Sequence, residues 1–432
     1  MAKIKITGIK GMNDMLPEEA GIWEKFEDTA RCVAASYGYR QIRTPILEAT
    51  GLFSRGVGEA TDIVEKEMYS FTDSMNGEQL TLRPECTSAV CRCAIEHNIT
   101  YNAPQRLWYF GPMFRHERPQ RGRYRQFYQF GCEALGFGGP DVDIELLSLT
   151  ARLWKNLGIK ASLQLNSLGA TEERARHREA LVAYLKDNYD VLDEDARRRL
   201  ETNPLRILDT KNPDMQAMVE AAPRLLDFLG EASRRFLGSL EAGVQALGID
   251  YTINPRLVRG LDYYNHTVFE WVTDQLGSQG TICGGGRYDP LIEMLGGRAT
   301  PAAGFAIGAE RVIELVRAAG GDKPVAACDI YVAHQGGHTE LVARQIGEQL
   351  RDAGHRVIVH AGSTSFKSSM KRADQSLAQW AVICGENEVN AGQVAIKRLR
   401  DAQGNQQFAE QMTIALESLS EIFGAAKEPD FS

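Results

Sequence analysis

The chain has 432 residues, a formal net charge of −8, and hydrophobic and charged fractions of 43% and 25%. Two or three domains are expected, because one ordinary hydrophobic core does not fill this length, and the composition is that of a soluble globular protein. The acidity argues against a protein that coats nucleic acid without specificity, since such proteins are basic throughout, although RNA can still bind at local basic patches. No apolar run approaches the roughly 18 residues of a membrane span and the N-terminus has no signal-peptide core, so we expect no membrane association.

The eight cysteines are scattered along the chain, and no two of them form a Cys-x-x-Cys pair. Structural zinc sites commonly use such pairs, so we predict no zinc site and assign no metal-binding residues. Most of the cysteines stand in apolar surroundings, which is typical of buried, reduced thiols in a cytosolic protein. We therefore expect a cytoplasmic location.

The N-terminal region predicts a long helix followed by an extended segment. The helix is expected to begin at Pro17, whose missing N–H would be unpaired there in any case, and to end at Gly38. Its apolar residues fall close to one helical face: Ile22, Phe26, Val33 and Tyr37. The segment 39–48 is predicted to be extended and to be interrupted by Pro45.

A hairpin is predicted next, with strands at Met68–Asp73 and Gln79–Pro84 around an Asn-Gly turn. A helix then continues to about His97. At its entrance, Glu85 and Thr87 suit an ordinary helix cap as well as they suit a binding site for a cation.

Residues 107–133 predict two strands joined by a basic loop. The strands are Leu107–Phe114 and Tyr124–Glu133, and the loop contains the turn residues Pro and Gly. Because side chains alternate along a strand, the second strand has one mostly apolar face suited to a core: Gln126, Tyr128, Phe130 and Cys132. Its other face offers a cation, a ring, an amide, a gap and a carboxylate: Arg125, Phe127, Gln129, Gly131 and Glu133.

The loop and its edges are strongly basic. The window from Arg115 to Arg125 holds five arginines against one glutamate. One interpretation is a solvated hairpin tip. The other is a hairpin that binds a polyphosphate through Arg115 and Arg123 and stacks a base on Phe127.

The middle of the chain predicts a helix at about Val142–Leu157 and a strand at about Ser162–Asn166. From about Gly169 to Gly248 the composition becomes charged and helical, so we predict a helical insertion. Its charges are expected on solvated helix faces, with an RNA-facing role as the alternative.

Three later stretches are informative. Leu257–Tyr264 precedes a strand at Thr267–Trp271, and its Arg beside Gly would also suit an ordinary turn. Gly284–Gly286 allows close approach of a ligand to the backbone, although a tight turn explains it equally. Gly304–Arg311 predicts a strand that leads into a helix, with Arg311 in the first turn, where the helix N-terminus favours anions.

Ala318–Pro324 is a plausible linker. Beyond it, strand-like runs alternate with helical stretches, so an α/β domain with a mainly parallel sheet is expected. These runs are Ile330–Ala333, Val357–His360, Trp380–Cys384 and Val394–Ile396.

These stretches resemble a known family. Residues 114–118 (Phe-Arg-His-Glu-Arg) and 122–127 (Gly-Arg-Tyr-Arg-Gln-Phe) resemble motif 2 of class II aminoacyl-tRNA synthetases, and 304–311 resembles motif 3. The N-terminal helix and the segment with Pro45 resemble motif 1, the dimer element. Residues 259–264 (Arg-Gly-Leu-Asp-Tyr-Tyr) are similar to the histidine-binding motif of histidyl-tRNA synthetases. The resemblance covers essentially the whole chain.

The resemblance implies an α+β catalytic domain in residues 1–323, with an antiparallel sheet flanked by helices and a helical insertion at about 169–248. An α/β anticodon-binding domain is implied for residues 324–432, and the chain is expected to form a homodimer. The reaction implied joins L-histidine to ATP as histidyl-adenylate and then transfers the histidyl group to the 3′ end of tRNA(His). Mg²⁺ is expected to bridge the phosphates, on acidic side chains that the sequence does not identify.

The resemblance also implies site residues. Those expected at histidine are Glu85, Cys86, Thr87, Arg115, Gln129, Glu133, Arg259, Tyr263 and Tyr264. Those expected at ATP are Arg115, Glu117, Arg123, Phe127 and Arg311, and those expected at the acceptor end of the tRNA are Arg118 and Gln120.

Within these sets, Arg259 and Arg115 are expected to be catalytic and to contact the α-phosphate, with Arg311 at the γ-phosphate. The acceptors for the α-ammonium would be Glu85, Thr87 and Gln129. A tyrosine hydroxyl, that of Tyr264, can pair with one imidazole nitrogen and Glu133 with the other. Cys86 has no chemical role of its own in this scheme.

Two other functions compete. A regulatory subunit of histidine biosynthesis has the same fold without synthetase activity, but such paralogues tend to lose the Arg-Gly-Leu-Asp-Tyr-Tyr motif, the ATP-binding arginines and the C-terminal domain. A tRNA-independent ligase of the class II fold would also form an adenylate, but it does not require that domain.

Overall fold

The computed structural model describes residues 6–58, 61, 63–259, 261, 263–277, 280–321, 326–362, 365–401, 404–406 and 410–424. Contacts within the chain divide it into two compact units, Met1–Asp322 and Lys323–Ser432. Within the described residues no helix is both long enough and apolar enough to cross a membrane.

The first unit combines helices with two sheets. Its described helices are α1 (Pro17–Ser36), α2 (Thr50–Val57), α3 (Thr87–Glu96), α4 (Asp141–Leu157), α5 (Thr171–Asp187), α6 (Glu194–Thr202), α7 (Gln216–Glu220), α8 (Glu231–Ala246), α9 (Leu291–Met294) and α10 (Ala309–Val316). Its described strands are β1 (Arg40–Gln41), β2 (Leu47–Ala49), β3 (Tyr69–Thr72), β4 (Gln79–Leu82), β5 (Gln105–Phe114), β6 (Gln126–Leu135), β7 (Ser162–Ser167), β8 (Tyr251–Ile253), β9 (Asn265–Val272), β10 (Thr281–Arg287) and β11 (Ala302–Gly308).

The main sheet has eight strands in the order β1-β5-β6-β11-β10-β9-β7-β8. Pairing is antiparallel from β5 across to β7, and only the outermost pairs, β1 with β5 and β7 with β8, are parallel. The predicted antiparallel sheet flanked by helices is therefore confirmed.

The β5–β6 hairpin is the centre of this sheet. The pairs run from Phe114 opposite Gln126 to Gln105 opposite Leu135. The second strand begins two residues later than predicted, because the N–H of Arg125 donates to the carbonyl of Gly11, 2.7 Å away, instead of joining the ladder.

The two faces of β6 divide as the alternation predicts. Phe130 and Cys132 are buried in the core that α1 and α4 form on one side of the sheet, and the rings of Phe130 and Phe26 lie 6.5 Å apart. Phe127 and Gln129, on the opposite face, line a cleft. The parity of the strand thus separates core residues from cleft residues.

A smaller sheet, in the order β2-β4-β3, lies before α3. Thr87 is the first residue of α3 and not its cap. The helix start is stabilised by Glu85, whose carboxylate accepts the N–H groups of Thr87 and Ser88 at 2.6 and 3.0 Å. Of the two residues that suited a helix cap, Glu85 therefore supplies the capping oxygens and Thr87 does not.

The segment between β7 and β8 contains α5 to α8 and has a hydrophobic core of its own, which includes Leu181, Leu185, Leu192, Leu208 and Met215. This is the region in which the charged composition predicts a helical insertion.

Two glycine-containing stretches adopt regular structure. Gly284–Gly286 does not form a tight turn: these glycines lie inside β10, paired with β9 and β11 on either side. The first part of the predicted linker is not extended, because Arg317–Gly321 continues α10 as a wider helical turn. The remaining linker residues, 322–324, lie outside the described residues.

The second unit is an α/β domain around a five-stranded sheet. Its described strands are β12 (Ile330–His334), β13 (Val357–Val359), β14 (Trp380–Cys384), β15 (Gln393–Arg398) and β16 (Met412–Ala415). Its described helices are α11 (His338–Asp352), α12 (Phe366–Gln375), α13 (Glu386–Asn390) and α14 (Leu419–Phe423).

The sheet order is β13-β12-β14-β15-β16. The pairs of β12 with β13 and β14 are parallel, but those of β15 with β14 and β16 are antiparallel. The expectation of a mainly parallel sheet is therefore wrong. A parallel crossover needs a dozen residues or more, and the connection from β14 to β15, residues 385–392, is too short for one.

A buried ion network fixes β10 against α4. The side chain of Arg287 is fully buried and donates to the carbonyls of Phe137 and Gly139, at 2.8 and 2.7 Å. It also pairs with Asp143 of α4 and with Asp289. Burial raises the pKa of Asp143, and the Arg287 guanidinium opposes that rise.

We predict that Arg287→Leu destabilises the first unit by about 3–5 kcal/mol, because it leaves Asp143 buried without its counter-charge. The double variant Arg287→Leu/Asp143→Leu should recover much of this loss, since it removes both charges together. Urea denaturation followed by intrinsic fluorescence measures both. A single variant as stable as the wild-type chain would contradict the prediction.

Candidate active site

One cleft in the first unit gathers side chains from five segments of the chain. It lies over β6, β10 and β11, with the β5–β6 loop on one side and residues 259–264 on the other. The predicted site residues that line it are Glu85, Thr87, Arg115, Glu117, Arg123, Phe127, Gln129, Arg259, Tyr263, Tyr264 and Arg311. The structure thus brings together residues that are separated by more than two hundred positions in the sequence.

The loop side of the cleft is cationic. Arg115, Arg123 and Arg311 all line it, and the pKa of Arg311 is lowered by burial and by the charges of Arg123 and Arg115. The charges of Arg123 and Arg115 therefore lie close enough to Arg311 to disfavour its cation. Such a group of cations favours an anion with several charged oxygens.

Each of these three arginines has a guanidinium nitrogen that contacts a protein oxygen. The Nε of Arg115 donates to the carbonyl of Pro84 at 2.9 Å, and its guanidinium carbon lies 5.2 Å from the centre of the Phe127 ring. Arg123 pairs with Glu117 across the loop. Arg311 donates from Nε to the carbonyl of Gly122, 3.2 Å away, at the positive-φ turn of the hairpin.

Arg259 also lines the cleft and lies against β9 and β10. It pairs with Glu270, whose other oxygen accepts the Thr281 hydroxyl at 2.9 Å. Its guanidinium lies over Gly284, where a Cβ would be 2.5 Å from Nη1. The Glu270 charge and the Tyr264 ring stabilise the cation, and the pKa of Arg259 is raised although its burial opposes this.

Buried hydrogen-bond acceptors line the same cleft as the arginines. Glu85 and Gln129 are both buried and both line the cleft. The Oε1 atom of Gln129 has no hydrogen-bond partner among the described residues. A buried acceptor without a partner beside a carboxylate favours a bound ammonium group.

Glu133 does not line the cleft, although the sequence predicts direct contact with substrate. It is 1% exposed and lies behind Thr87, whose hydroxyl donates to it at 2.7 Å. Its second oxygen accepts the Tyr288 hydroxyl. Burial raises the pKa of Glu133 to about 8, against the opposing effect of these two hydrogen bonds.

Gly304 makes room for this carboxylate. It is the cross-strand neighbour of Glu133 on β11, and a Cβ at Gly304 would lie 1.8 Å from Oε2 of Glu133. Any other residue at this position would therefore displace the carboxylate.

Cys86 also lies away from the cleft. Its thiol is buried among apolar residues, with the Thr44 hydroxyl 3.4 Å away, and burial raises its pKa to about 12. The expectation of Cys86 at the histidine site is not supported by its placement, because the α3 backbone directs the side chain into the core.

Arg118 and Gln120 lie on the β5–β6 loop and are exposed. Gln120 pairs with Arg123 in an isolated two-residue bridge that closes the tip. Two residues of the 259–264 motif, Gly260 and Asp262, lie outside the described residues.

Sequence reasoning missed four residues that shape the cleft: Tyr109, Glu270, Tyr288 and Glu310. Glu270 had a signal, because it is a carboxylate inside the otherwise apolar run from Val268 to Val272. Glu310 accepts the N–H of Tyr128 at 2.8 Å, and burial raises its pKa to about 7. Its place directly before Arg311, at the start of α10, was also a signal.

Comparison with known proteins gives two family matches. The model described as histidyl-tRNA synthetase matches residues 11–312, and the model described as anticodon binding domain matches residues 329–425. Together they cover both units of the chain.

Curated relatives are similar over nearly the full length. The histidine–tRNA ligase of Paraburkholderia phymatum is 58% identical, over 96% of this chain and 95% of the relative. That of Bordetella avium is also 58% identical, over 97% of both chains.

Solved structures are similar as well. The apo histidyl-tRNA synthetase of S. aureus is 34% identical, with a TM-score of 0.79 over 97% of this chain and 100% of that one. A protein from Bacillus halodurans described as an ATP phosphoribosyltransferase regulatory subunit/histidyl-tRNA synthetase is 22% identical, with a TM-score of 0.65 over 88% of this chain and 99% of that one. At this identity the second likeness concerns the fold alone.

The raised pKa of Glu133 predicts how stability depends on pH. The usual pKa of a glutamate is about 4.3, so between that value and about 8 the folded chain keeps a proton on Glu133 that the unfolded chain has lost. The free energy of unfolding should therefore fall as the pH rises through this window. Glu133→Gln keeps a neutral side chain of similar shape and should remove this part of the slope, on the order of a few kcal/mol between pH 5 and 8.

Urea denaturation of both proteins at several pH values measures the difference. Glu96→Gln, at an exposed position of α3, is the matched control and should leave the slope unchanged. Parallel curves for the wild-type chain and Glu133→Gln would show that Glu133 is ionised when the site is empty.

Proposed function

The chain belongs to the histidyl-tRNA synthetase family, and from this premise we propose which side chains of the cleft perform its reaction. The chain activates L-histidine with ATP to give histidyl-adenylate and pyrophosphate, and it transfers the histidyl group to tRNA(His). The observation that carries the assignment of residues is the meeting of three cleft arginines, the Arg259–Glu270 pair and the unpartnered oxygen of Gln129 around one space.

ATP binds on the loop side of the cleft. Arg115 contacts the α-phosphate, Arg123 contacts the neighbouring phosphate oxygens and Arg311 contacts the γ-phosphate. The lowered pKa of Arg311, caused by burial and by the charges of Arg123 and Arg115, supports this, because a polyphosphate would relieve the repulsion on Arg311. The adenine stacks on Phe127, at the cleft wall beside Arg115.

Histidine binds between ATP and Arg259. Its α-ammonium donates to Glu85 and to the unpartnered Oε1 of Gln129, with Thr87 beside them. Its carboxylate faces Arg259. Without substrate, the buried Oε1 of Gln129 has no hydrogen-bond donor, which costs free energy. A bound ammonium group would supply that donor, so the empty site favours this cation.

The imidazole is held by Tyr264 and Glu133. Tyr264 is buried and lines the cleft, and Glu133 lies directly behind Thr87. A carboxylate has about four lone-pair sites, so Glu133 can accept an imidazole N–H while it keeps its bonds to Thr87 and Tyr288. A small movement of Thr87 on histidine binding is sufficient to open this contact.

The first chemical step forms a bond between a histidine carboxylate oxygen and the α-phosphorus and breaks the bond to pyrophosphate. Arg259 and Arg115 both line the cleft around this centre. They hold the two reactants in line and stabilise the charge on the non-bridging oxygens, which is the main form of catalysis available without a side-chain nucleophile.

Mg²⁺ fits beside the phosphates. It typically binds proteins through one or two carboxylates together with phosphate oxygens and waters, which agrees with the lack of any group of three acidic, His or Cys side chains suited to a metal in the described part of the chain. Glu310 is the better candidate ligand, because Glu117 is already paired with Arg123. Bound there, the ion would neutralise phosphate charge.

The tRNA contacts both units. The exposed tip with Arg118 and Gln120 meets the acceptor end, since it stands beside the cleft without lining it. The second unit binds the anticodon, in keeping with the family model that matches it.

We assign the chain to the cytoplasm as a homodimer. All eight cysteines are free, as expected in a reducing compartment. A second copy docks beside α1, where Ile46 and Leu47 are exposed apolar side chains next to an open groove.

The regulatory-subunit alternative is not favoured. The chain is similar to histidine–tRNA ligases over nearly its whole length. It also retains the 259–264 motif, the cleft arginines and the C-terminal domain. A regulatory subunit would not require this set of groups.

Pyrophosphate exchange with each of the twenty amino acids tests the function directly. The proposed site predicts exchange with histidine, because an amino acid without imidazole nitrogens leaves buried hydrogen-bonding groups unpaired, which costs on the order of 10⁴ in selectivity. No exchange with any amino acid would support the regulatory alternative.

We predict that Arg259→Ala lowers the single-turnover rate of adenylate formation by at least about a hundredfold, as removal of one preorganised donor typically does. ATP binding should persist, because the loop-side arginines are unchanged. Single-turnover rapid quench with labelled ATP measures the rate.

The Glu270 pair requires a second variant. Arg259→Ala leaves Glu270 without its counter-charge and lowers stability, whereas Arg259→Ala/Glu270→Gln should unfold at nearly the wild-type temperature and still lack adenylation. Arg121→Ala, at an exposed loop position paired with Glu314, is the control and should remain active. A folded double variant with near-normal adenylation would remove Arg259 from the mechanism.

A further inference from the structure

A groove lies next to the active-site cleft on the other side of β5. Residues that line it include Ile42, Thr44, Ile46, Arg83, Phe110 and Pro112. Tyr109 lines both the groove and the cleft. The two cavities are therefore separated by one layer of side chains.

Arg83 lies in this layer and lines the groove. Its Nε donates to the carbonyl of Pro112 at 3.0 Å, and its Nη1 donates to the carbonyl and hydroxyl of Thr44, both at 3.0 Å. Its Nη2 lies over Gly111, where a Cβ would be 2.5 Å away. The guanidinium thus joins the extended segment before β2 to the strand β5.

The charge of Arg83 is unusual for its position. The residue is 5% exposed, and no carboxylate lies within ion-pair distance of it in the part of the chain that the structure describes. Only backbone carbonyls and one hydroxyl accept from it. Burying a cation without a counter-ion is costly, so stability alone does not explain an arginine here.

The backbone of Arg83 leads into the histidine site. Its N–H donates to the carbonyl of Ile46 at 2.9 Å, and its carbonyl accepts from Phe114 at 3.0 Å. The next residue, Pro84, accepts the Nε of Arg115 through its carbonyl, also at 2.9 Å. Glu85 follows directly, so a shift of Arg83 moves both Glu85 and the base of Arg115.

We propose that Arg83 is a positioning residue that couples the groove beside α1 to the histidine site. It does not touch substrate. It fixes the peptide from residue 83 to residue 85 against the groove wall, and it thereby sets where the Glu85 carboxylate stands for the α-ammonium. The inference rests on the proposed role of Glu85 and extends it.

Two variants displace the guanidinium by independent routes. Arg83→Gln removes its charge and most of its donors. Gly111→Ala keeps Arg83 but places a methyl group where Nη2 lies. Arg92→Gln is the matched control, because Arg92 of α3 joins Glu48 and Glu96 at 2.5 and 2.8 Å in the same region without reaching the cleft.

Histidine-dependent pyrophosphate exchange gives KM for both substrates. Both variants should raise KM for histidine by about tenfold, a 1.4 kcal/mol effect, and KM for ATP by a clearly smaller factor, because only Arg115 among the three loop-side arginines is held through Pro84. Arg83→Lys keeps the charge and should recover part of the histidine affinity. The double variant should be no worse than either single one, because both act on the same contact.

Hydrogen exchange tests the coupling itself. In the wild-type chain, histidine should slow amide exchange in peptides that contain residues 41–47, at the groove, as well as residues 85–88. In Gly111→Ala the protection at 41–47 should be lost while some protection at 85–88 remains.

Unchanged histidine KM in both variants, or equal increases for histidine and ATP together with a lower unfolding temperature, would overturn the positioning role. A wild-type chain without histidine-dependent exchange would overturn the assigned function and this inference with it. Unchanged variants beside an active wild-type chain would overturn the inference alone.

Discussion

The active site depends on glycines in the central strands that leave room for large polar side chains. The Glu133 carboxylate lies over Gly304 of the next strand, and the Arg259 guanidinium lies over Gly284. A single Cβ at either glycine would fall 1.8 Å or 2.5 Å from the charged group. These glycines lower strand propensity, and the sheet tolerates them because each is paired on both sides. The shape of the cleft is therefore determined by the strands of the sheet more than by the loops.

The second constraint is the placement of charged side chains in the first unit. Within the first unit, the buried charges of Arg287 and Asp143 are paired with each other, whereas in the cleft burial and the charges of Arg123 and Arg115 lower the pKa of Arg311. The Arg287–Asp143 pair stabilises the frame, and the clustered cations of the cleft favour a substrate with several anionic oxygens. Glu133 belongs to neither group: burial raises its pKa to about 8. Its charge can therefore change near neutral pH, where the imidazole of histidine also titrates.

The sequence predicts the frame of the site well, because its signals are local. Alternation along residues 124–133 separates the core face of β6 from the cleft face, and the turn residues locate the hairpin tip. The position of Arg311 follows from a strand that leads into a helix. Each of these predictions uses residues that are neighbours in the chain.

The parts that the sequence did not predict depend on contacts between distant segments. Nothing near Glu133 indicates that Tyr288 occupies one of its oxygens, and nothing near Arg259 indicates its pairing with Glu270. The glycines at 284–286 were ambiguous for the same reason, because their role depends on a guanidinium that arrives from another loop. In the second unit, the sheet is mixed because the connection from β14 to β15 is too short for a parallel crossover. The hydrophobic periodicity of a strand does not indicate the direction in which the strand runs.

The affinity of Gly304→Ala for histidine tests the central claim most directly. Isothermal calorimetry gives the dissociation constants for histidine and for ATP separately, and circular dichroism confirms that the variant is folded. If Glu133 recognises the imidazole only because Gly304 leaves it room, histidine binding should weaken by at least about tenfold, equivalent to 1.4 kcal/mol, while ATP binding stays within about twofold. A folded Gly304→Ala variant that binds histidine as tightly as the wild-type chain would contradict the account.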